Sequence, residues 1–379
     1  MDRAQEDRRT RYVLRDRLRQ FSAIQRQQDC GADSIGFPAV LIRSRELGEG
    51  SASWLATVQN VEMCQRLTCP TCAPVMWSLT AAELSAAVLG WQAEGGEVAY
   101  VTLRLKPGAI RALELRIDAL RAGWRSVLGG NSQAQRRRME FLGKVGFHMR
   151  IEIEDGLSRG WEPHLRALLF VDGFARNPAV TERRLAEAIW PAWQSGLARA
   201  GHASPARPSG IAVELVERDP TAAREVVMRY LASIDDRSRI RSRHHNRSMW
   251  AVLDDALYMH RLPELRWNEL ERMLIGRRIR TWSPGFRKQL GMPANRSPRA
   301  APDEQVLAYL DWSDWSKIDR RVCDMLEAVE NAGPSPTDTF AALSHWLANI
   351  QATPPLRNHP VVRREPQPSA GQRQRSRHW

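Results

Sequence analysis

Four of the five cysteines are candidates for a metal site. Cys64, Cys69 and Cys72 lie within nine residues of one another, and Cys30 lies upstream. This close spacing lets one chain reversal present several thiolates to a tetrahedral ion, and zinc is the usual occupant. We therefore predict a structural zinc site, with a set of ordinary buried thiols as the alternative. Cys323 falls on a predicted amphipathic helix and is expected in a core.

A second group of candidate ligands lies on two predicted strands. The segment FHMRIEIED alternates apolar residues with ionisable ones that share a face: His148, Arg150, Glu152 and Glu154. In the next segment, HLRALLFVD, His164 and Arg166 share a face, and the short link between the segments predicts an antiparallel hairpin. Pairing brings His164 close to Glu152 or Glu154, which is a usable divalent-metal site. The alternative, favoured by the pattern alone, is a salt-bridged sheet surface.

Tyr230 is a candidate nucleophile. It lies on a predicted helix with an apolar stripe, in the segment TAAREVVMRYLASID. By spacing alone, such a tyrosine is more often at the edge of a core than in a catalytic site.

The elements that position these residues alternate along the chain. Between about 97 and 235 the order is strand, helix, strand, strand, helix, strand, helix. This order predicts an α+β fold with a central antiparallel or mixed sheet and helices packed on one face. The opposite, polar face is then open to a ligand.

The charge balance indicates an anionic partner. The chain has 56 lysines and arginines against 43 acidic residues, a net charge of +13. Nucleic acid and an anionic membrane both fit this charge. No apolar run approaches the roughly 20 residues needed to cross a bilayer, so we expect no membrane partner and a cytoplasmic location.

Several segments, taken together, resemble the rolling-circle replication initiators (Rep proteins) of the HUH endonuclease superfamily. GWEPHLRALLFV resembles the family's histidine strand, EVAYVTLRL its first strand, and VVMRYLAS its tyrosine helix. CQRLTCPTCAPV resembles its upstream cysteine cluster, and RRIRTWSPGFRKQLG its trailing segment. The similarity spans about residues 30–291 with the segments in the family's order.

The resemblance implies an HUH-type sheet with ferredoxin-like order and a DNA-nicking activity. A tyrosine attacks one strand at a plasmid origin and leaves a 5′-phosphotyrosine link and a 3′-hydroxyl primer. Tyr230 takes the position of the nucleophile and Arg229 that of a phosphate clamp. The candidate ligands of a catalytic Mg²⁺ or Mn²⁺ are His164, Glu152, Glu154 and Glu162. The implied partners are double- and single-stranded origin DNA, host helicase and host polymerase, in a bacterial cytoplasm.

Four cations on the same strands are candidate DNA contacts: Arg104, Lys106, Arg150 and Arg166.

Two departures from the family pattern leave alternatives open. Arg166 stands in place of the second histidine, and Glu162 in place of an earlier one. Arginine stays protonated and cannot bind a metal. Three outcomes fit: a ligand set of His164, Glu162, Glu152 and His148; weak catalysis; or an inactive DNA-binding descendant. A zinc-ribbon regulator also fits the cysteines and the charge, but it leaves the strand order unexplained.

The same reasoning divides the chain into segments. They are a charged arm (1–29), a cysteine segment (30–75), a nicking domain (76–235), a basic helical extension (236–291), a linker (292–303), C-terminal helices (304–350) and a disordered basic tail (351–379).

Overall fold

The structure, a computed structural model, describes most of the chain. The described residues are 3–32, 39–47, 52–106, 112–129, 133, 146–156, 159–172, 178–231, 247–257, 261–292, 305–311, 314–333 and 335–352. The arginine-rich segment around 237–247 lies outside them except for its last residue, as do most of the predicted linker and the predicted basic tail from residue 353 onward.

The described chain contains nine strands. They are β1 (Ala39–Leu47), β2 (Ala52–Gln59), β3 (Glu97–Arg104), β4 (Gly146–Asp155), β5 (Trp161–Val171), β6 (Ile211–Leu215), β7 (Arg247–Ser248), β8 (Arg280–Trp282) and β9 (Gln305–Leu310).

Thirteen α-helices are described with them. They are α1 (Arg3–Phe21), α2 (Gln25–Gln28), α3 (Cys72–Ala93), α4 (Leu113–Leu128), α5 (Pro178–Arg199), α6 (Arg207–Gly210), α7 (Pro220–Leu231), α8 (Met249–Leu257), α9 (Arg261–Leu274), α10 (Phe286–Gln289), α11 (Trp315–Ile318), α12 (Val322–Asn331) and α13 (Pro336–Asn349). A short 3₁₀ helix, Asp319–Arg321, joins α11 to α12.

The chain divides into two compact units. The first comprises Met1–Cys30 and Met63–Arg299, and the second comprises Gly31–Glu62 and Ala300–Trp379. This division differs from the predicted segments, because the β1–β2 hairpin belongs with the C-terminal part of the chain and not with the cysteines.

A six-stranded sheet forms the centre of the first unit. Its strand order is β6-β3-β5-β4-β7, and β8 also pairs with β4. All of these pairings are antiparallel. The predicted hairpin of β4 and β5 forms with Glu152 opposite His164 and Arg150 opposite Arg166. The α+β class and the antiparallel sheet are therefore confirmed.

Helices cover both faces of this sheet, which corrects the expectation of one open face. On the apolar face, Trp124 of α4 packs edge-on against Phe147 of β4, with ring centroids 5.4 Å apart. On the polar face, the guanidinium of Arg150 lies over the rings of Trp77 in α3 and Tyr230 in α7. Aromatic rings attract cations in this way, so a strand face rich in charge still takes a helical cover.

The apolar side chains that alternate with polar ones along the strands form the core. Leu103, Leu165 and Leu169 are fully buried, as are Ile117 and Leu120 on α4. Burying one such side chain contributes roughly 1.5–3 kcal/mol. Their packing fixes the strands, and therefore the positions of the polar side chains on the opposite face.

The predicted charged arm forms a helix that docks on the first unit. Leu14 and Leu18 of α1 are buried. At its end, Ser22 Oγ donates to Glu271 Oε1 at 2.8 Å and the Ala23 backbone N–H donates to Glu271 Oε2 at 3.1 Å. Glu271 is fully buried on α9, so this segment is part of the unit and not a solvated tail.

One described helix, α3, is long and apolar enough to cross a membrane by length and composition alone. Core helices of soluble proteins pass the same test. Here α3 buries Trp77, Leu84, Val88 and Trp91 within the protein.

The second unit contains a three-stranded antiparallel sheet in the order β2-β1-β9. The Ala56 backbone N–H donates to Glu330 Oε1 of α12 at 2.8 Å, and Trp315 Nε1 donates to the Gly31 carbonyl at 2.8 Å. Ser335 caps the start of α13 by accepting from the Asp338 backbone N–H. The predicted C-terminal helices are therefore present, but a strand precedes them.

Candidate functional site

The four predicted cysteine ligands come together in the first unit. The Cys30 sulfur lies 3.6 Å from that of Cys69 and 3.5 Å from that of Cys72, and the Cys64 sulfur lies 3.5 Å from that of Cys72. Four sulfurs at about 2.3 Å from a central zinc ion lie about 3.8 Å apart. The cluster thus has the size and donor chemistry of a closed tetrahedral metal site, and spacing in the sequence was enough to find it.

The surroundings of this cluster suit bound thiolates. All four sulfurs belong to buried residues, and the Cys64 backbone N–H points at the Cys30 sulfur at 3.4 Å. Hydrogen bonds from Cys30, Cys64 and Cys72 lower the pKa of Cys69 well below its usual range, whereas hydrogen bonds with Cys30 and Cys69 raise the pKa values of Cys64 and Cys72. Thiolate is the form that binds a metal.

A second candidate metal cluster consists of Glu152, Glu154 and His164. His164 Nε2 lies 2.6 Å from Glu152 Oε2, and His164 Nδ1 lies 4.0 Å from Glu154 Oε2. Two ligand atoms at about 2.1 Å from one ion lie roughly 3.0–4.2 Å apart. The Nδ1 of His164 and the carboxylate of Glu154 can therefore share one divalent ion.

Glu152 is held as a carboxylate by its neighbours. Burial opposes its ionisation, but His164 and the guanidinium groups of Arg150 and Arg166 outweigh burial and lower the pKa of Glu152 to about 2. Arg166 Nε lies 2.5 Å from Glu152 Oε2, and Arg150 Nη2 lies 3.4 Å from Glu152 Oε1. Because an ionised carboxylate only accepts, His164 Nε2 must be the donor in their hydrogen bond.

This contact offers Glu152 a second role beside the predicted one of metal ligand. In a neutral ring with the proton on Nε2, the lone pair is on Nδ1, which faces Glu154. Carboxylates commonly orient a metal-binding histidine in this way without touching the metal. The geometry therefore favours Glu154 and His164 as ligands and Glu152 as the group that orients His164.

Two other candidate ligands are bonded to groups outside the cluster. Glu162 is opposite Glu154 in the hairpin, but its carboxylate pairs with Arg159 Nε at 3.0 Å. His148 faces the hydroxyl of Tyr230 instead of the cluster. The alternative ligand set that included Glu162 and His148 is thus not assembled here.

Tyr230 lies on the polar sheet face, where its side chain is buried and its hydroxyl is hydrogen-bonded. Its hydroxyl is 2.8 Å from His148 Nδ1 and 3.2 Å from the His148 carbonyl oxygen, and the residue is fully buried. Burial raises the pKa of Tyr230 and lowers the pKa of His148 to about 3. Both side chains are therefore neutral in this conformation.

The hydroxyl is hydrogen-bonded to His148 and not to the Glu152, Glu154 and His164 cluster. His148 is four residues from Glu152 on β4, which corresponds to about 13 Å along a strand. Arg150 lies between them, with its guanidinium 5.4 Å from the centroid of the Tyr230 ring. In-line attack on a phosphate held at the cluster requires this side chain to turn.

The predicted DNA contacts fall into two groups. Arg104 and Lys106 are exposed at the end of β3, and Arg104 is opposite His164 in the sheet. Arg150, in contrast, is 1% exposed. Packing against Trp77 and Tyr230 buries it, which corrects the expectation that it contacts DNA.

The fourth predicted DNA contact, Arg166, and the predicted phosphate clamp, Arg229, lie where α7 ends. Arg166 Nη1 donates to the Arg229 carbonyl at 3.1 Å, so Arg166 joins Glu152 to the end of the tyrosine helix. Arg229 itself is half exposed and pairs with Glu214. A phosphate could reach it on the surface.

Sequence reasoning missed the residues that close the polar face. The guanidinium groups of Arg150 and Arg280 both lie over the ring of Trp77, at 5.1 and 5.6 Å from its centroid. Trp282 packs edge-on against His148, with centroids 4.9 Å apart. The Trp-Ser pair of the trailing segment was the available signal, since β8 places Trp282 opposite His148.

Comparison with known proteins finds a distant relative of this chain. The chain is 23% identical over 377 residues to a protein of Streptomyces lividans. That protein is named Protein rep. The match covers 80% of this chain and 82% of the relative. No protein-family model matches the chain, and no solved structure matches it either.

Proposed function

We propose that this protein is a plasmid replication initiator that binds origin DNA and nicks one strand through Tyr230. The distant similarity to Protein rep supports the initiator role, and the net charge of +13 supports DNA as the partner. The observation that carries the nicking step is the sheet face on which Glu154 and His164 lie side by side and to which α7 delivers Tyr230.

The proposed reaction is a phosphoryl transfer to tyrosine. The Tyr230 oxygen attacks the phosphorus of the scissile phosphodiester and loses its proton to water. A Tyr–O–P bond forms, the bond from phosphorus to the 3′ oxygen breaks, and that oxygen takes a proton from water and leaves as a 3′-hydroxyl for the host polymerase to extend. A Mg²⁺ or Mn²⁺ ion held by Glu154 and His164 would offset negative charge on the phosphate oxygens.

The residues around the cluster have supporting roles in this proposal. Glu152 keeps the Nδ1 of His164 directed toward Glu154, and Arg104 is an exposed cation next to His164 for the DNA backbone. Tyr230 must leave His148 before it can react. Arg166 contacts both Glu152 and the end of α7, so arrival of a phosphate at the cluster would alter the contact that holds the helix.

The cysteine cluster has a structural role in this proposal. We assign zinc to Cys30, Cys64, Cys69 and Cys72, because closed four-thiolate sites are typical of structural zinc. The nicking chemistry does not involve it. We place the protein in a bacterial cytoplasm, where thiols stay reduced.

The test is the covalent adduct between protein and DNA. Purified protein is incubated with a labelled single-stranded origin fragment and Mn²⁺, and the products are separated on a denaturing gel. We expect a labelled protein band that disappears in Tyr230→Phe and persists in the matched control Tyr309→Phe, which changes a tyrosine of the second unit. A band that survives in Tyr230→Phe would refute the assignment.

A second candidate function is origin binding without nicking. Two observations favour it: Tyr230 is buried with its hydroxyl on His148, and Arg166 occupies the place of a second histidine and pairs with Glu152. Such a protein would act by occupying the origin or by recruiting host helicase. Its signature is tight DNA binding with no adduct under Mn²⁺ or Mg²⁺.

A further inference from the structure

A basic groove lies beside the cysteine cluster in the first unit. One wall is the loop segment 65–68, between Cys64 and Cys69, and the other is the segment 277–280, which leads into β8. Its volume is about 330 Å³. Four arginines line it, and no acidic side chain does among the described residues. The lining thus has the charge of an anion-binding surface.

Among the described residues, no carboxylate neutralises three of the four arginines, so their positive charge is available to a ligand. Arg277 is paired with Glu114 and Asp118 on α4, so it contributes little. Within the described part of the chain, no carboxylate pairs with Arg66 or Arg278, and the side chain of Arg278 is exposed.

Arg280 has a different environment. Its Nη1 donates to the neutral hydroxyl Thr80 Oγ1 at 2.8 Å, and burial lowers its pKa. A partly buried guanidinium with only a neutral partner is stabilised by an incoming anion.

The groove is also fixed in place. Arg66 lies between two cysteines of the metal cluster, and Gln27 Nε2 holds the same loop by donating to the Thr68 carbonyl at 2.9 Å. On the other wall, Arg280 of β8 is the strand partner of Arg150 in β4. The guanidinium of Arg280 lies over the Trp77 ring. The groove therefore borders the polar sheet face, and Arg280, which Thr80 and Trp77 already hold, loses little side-chain conformational entropy on binding.

We propose that this groove binds phosphates of the DNA backbone, with Arg66, Arg278 and Arg280 as the contacts. This inference rests on the proposed function, because it assigns part of the DNA path to a surface that the nicking chemistry does not use. The walls also carry aliphatic side chains, Leu67 and Ile279, which offer the bases no hydrogen bonds, and the polar lining residues other than arginine are Gln65 and Thr68. The groove would thus contribute affinity without base specificity.

The test is the salt dependence of DNA binding by the full chain. Fluorescence anisotropy is measured over a salt series with a labelled duplex and with a labelled single strand of the same sequence. Arg66→Ala combined with Arg278→Ala should lower the slope of log affinity against log salt by about 1.8 on duplex, or about 1.4 on single strand, at 0.9 or 0.7 per lost contact. The strand type whose slope falls by its expected amount, while the slope of the other stays unchanged, identifies the ligand.

A matched control removes the same charge elsewhere. Arg183→Ala combined with Arg184→Ala changes two exposed residues of α5 and should leave the slope nearly unchanged. Arg278→Glu is a second variant at an exposed position, which should weaken binding without affecting folding. Zinc content and thermal unfolding confirm that each variant is folded.

The outcomes separate this inference from the proposed function. If the wild type binds DNA and the variant with Arg66→Ala and Arg278→Ala keeps the wild-type slope, the groove is not a DNA surface and the nicking proposal stands. If the wild type binds neither duplex nor single strand, both proposals fail.

Discussion

Acidification should destabilise the first unit through His148. The side chain is 2% exposed. Burial, together with the nearby Arg280 and Arg150, lowers its pKa from 6.5 to about 3. In the unfolded chain the imidazole is hydrated and takes up a proton near its ordinary pKa. Below that pH the unfolded state therefore binds one more proton than the folded state.

The sign and the size of the effect follow from this difference. Because the pKa is lowered in the folded state, the contribution is fully present above the unfolded value of 6.5 and is lost as the pH falls toward 3. Between about pH 7 and about pH 5, the expected loss is about 2 kcal/mol of unfolding free energy. Glu152 contributes only at lower pH, since its pKa falls from 4.5 to about 2.

The assay is urea unfolding followed by tryptophan fluorescence at several pH values across this range. His148→Gln keeps an acceptor near the Tyr230 hydroxyl and should remove about 2 kcal/mol of the pH dependence. His345→Gln, at an exposed position on α13, is the control and should behave as wild type.

An unchanged pH dependence in His148→Gln would refute the reasoning. If that variant does not fold, an NMR titration of the wild-type imidazole gives the answer. Protonation of His148 near its ordinary pKa in the folded protein would contradict the buried contact with Tyr230.

Three further predictions concern the metal clusters and a buried ion pair. Cys64→Ser should cost the protein one equivalent of zinc, measured by mass spectrometry of the native protein, and should lower its melting temperature; full zinc content in the variant would contradict the four-thiolate site. Asp155 is fully buried and pairs with Arg247 and Arg266 at 2.7 and 2.8 Å, so Asp155→Asn should cost about 3 kcal/mol of unfolding free energy in urea, and a loss near zero would contradict its role as an anchor. Glu154→Gln should weaken Mn²⁺ binding at least about tenfold by calorimetry without changing zinc content, whereas equal Mn²⁺ affinity would exclude Glu154 as a ligand.

Sequence patterns were sufficient wherever the information is local. A period of two on FHMRIEIED fixes which side chains share a face, and a short link to the next strand fixes the pairing. The contact of Glu152 with His164 follows from these two facts. The cysteine cluster was equally predictable, because three of its four ligands lie within a few residues of one another.

Sequence patterns failed where distant segments meet. The burial of Arg150 depends on Trp77 and Tyr230, which come from helices far away in the chain. A charged strand gives no sign that aromatic rings will cover it. Alternation of charge therefore predicted an open face where the protein has a helical cover.

The same limit applies to strand pairing over long separations. β9 pairs with β1 across most of the chain, and β8 adds to β4 after more than a hundred residues. Hydrophobic alternation can predict a strand but not its distant neighbour. The division into units and the position of Trp282 beside His148 were accordingly beyond reach.

Covalent linkage of Tyr230 to DNA is the central step of the proposed function. Its most direct test is mass spectrometry of the protein digested with protease and nuclease after incubation with origin DNA and Mn²⁺. We predict a nucleotide on the peptide that contains Tyr230 and on no other tyrosine peptide. A nucleotide on another tyrosine, or none on a protein that binds the same DNA tightly, would contradict the claim and leave origin binding as the function.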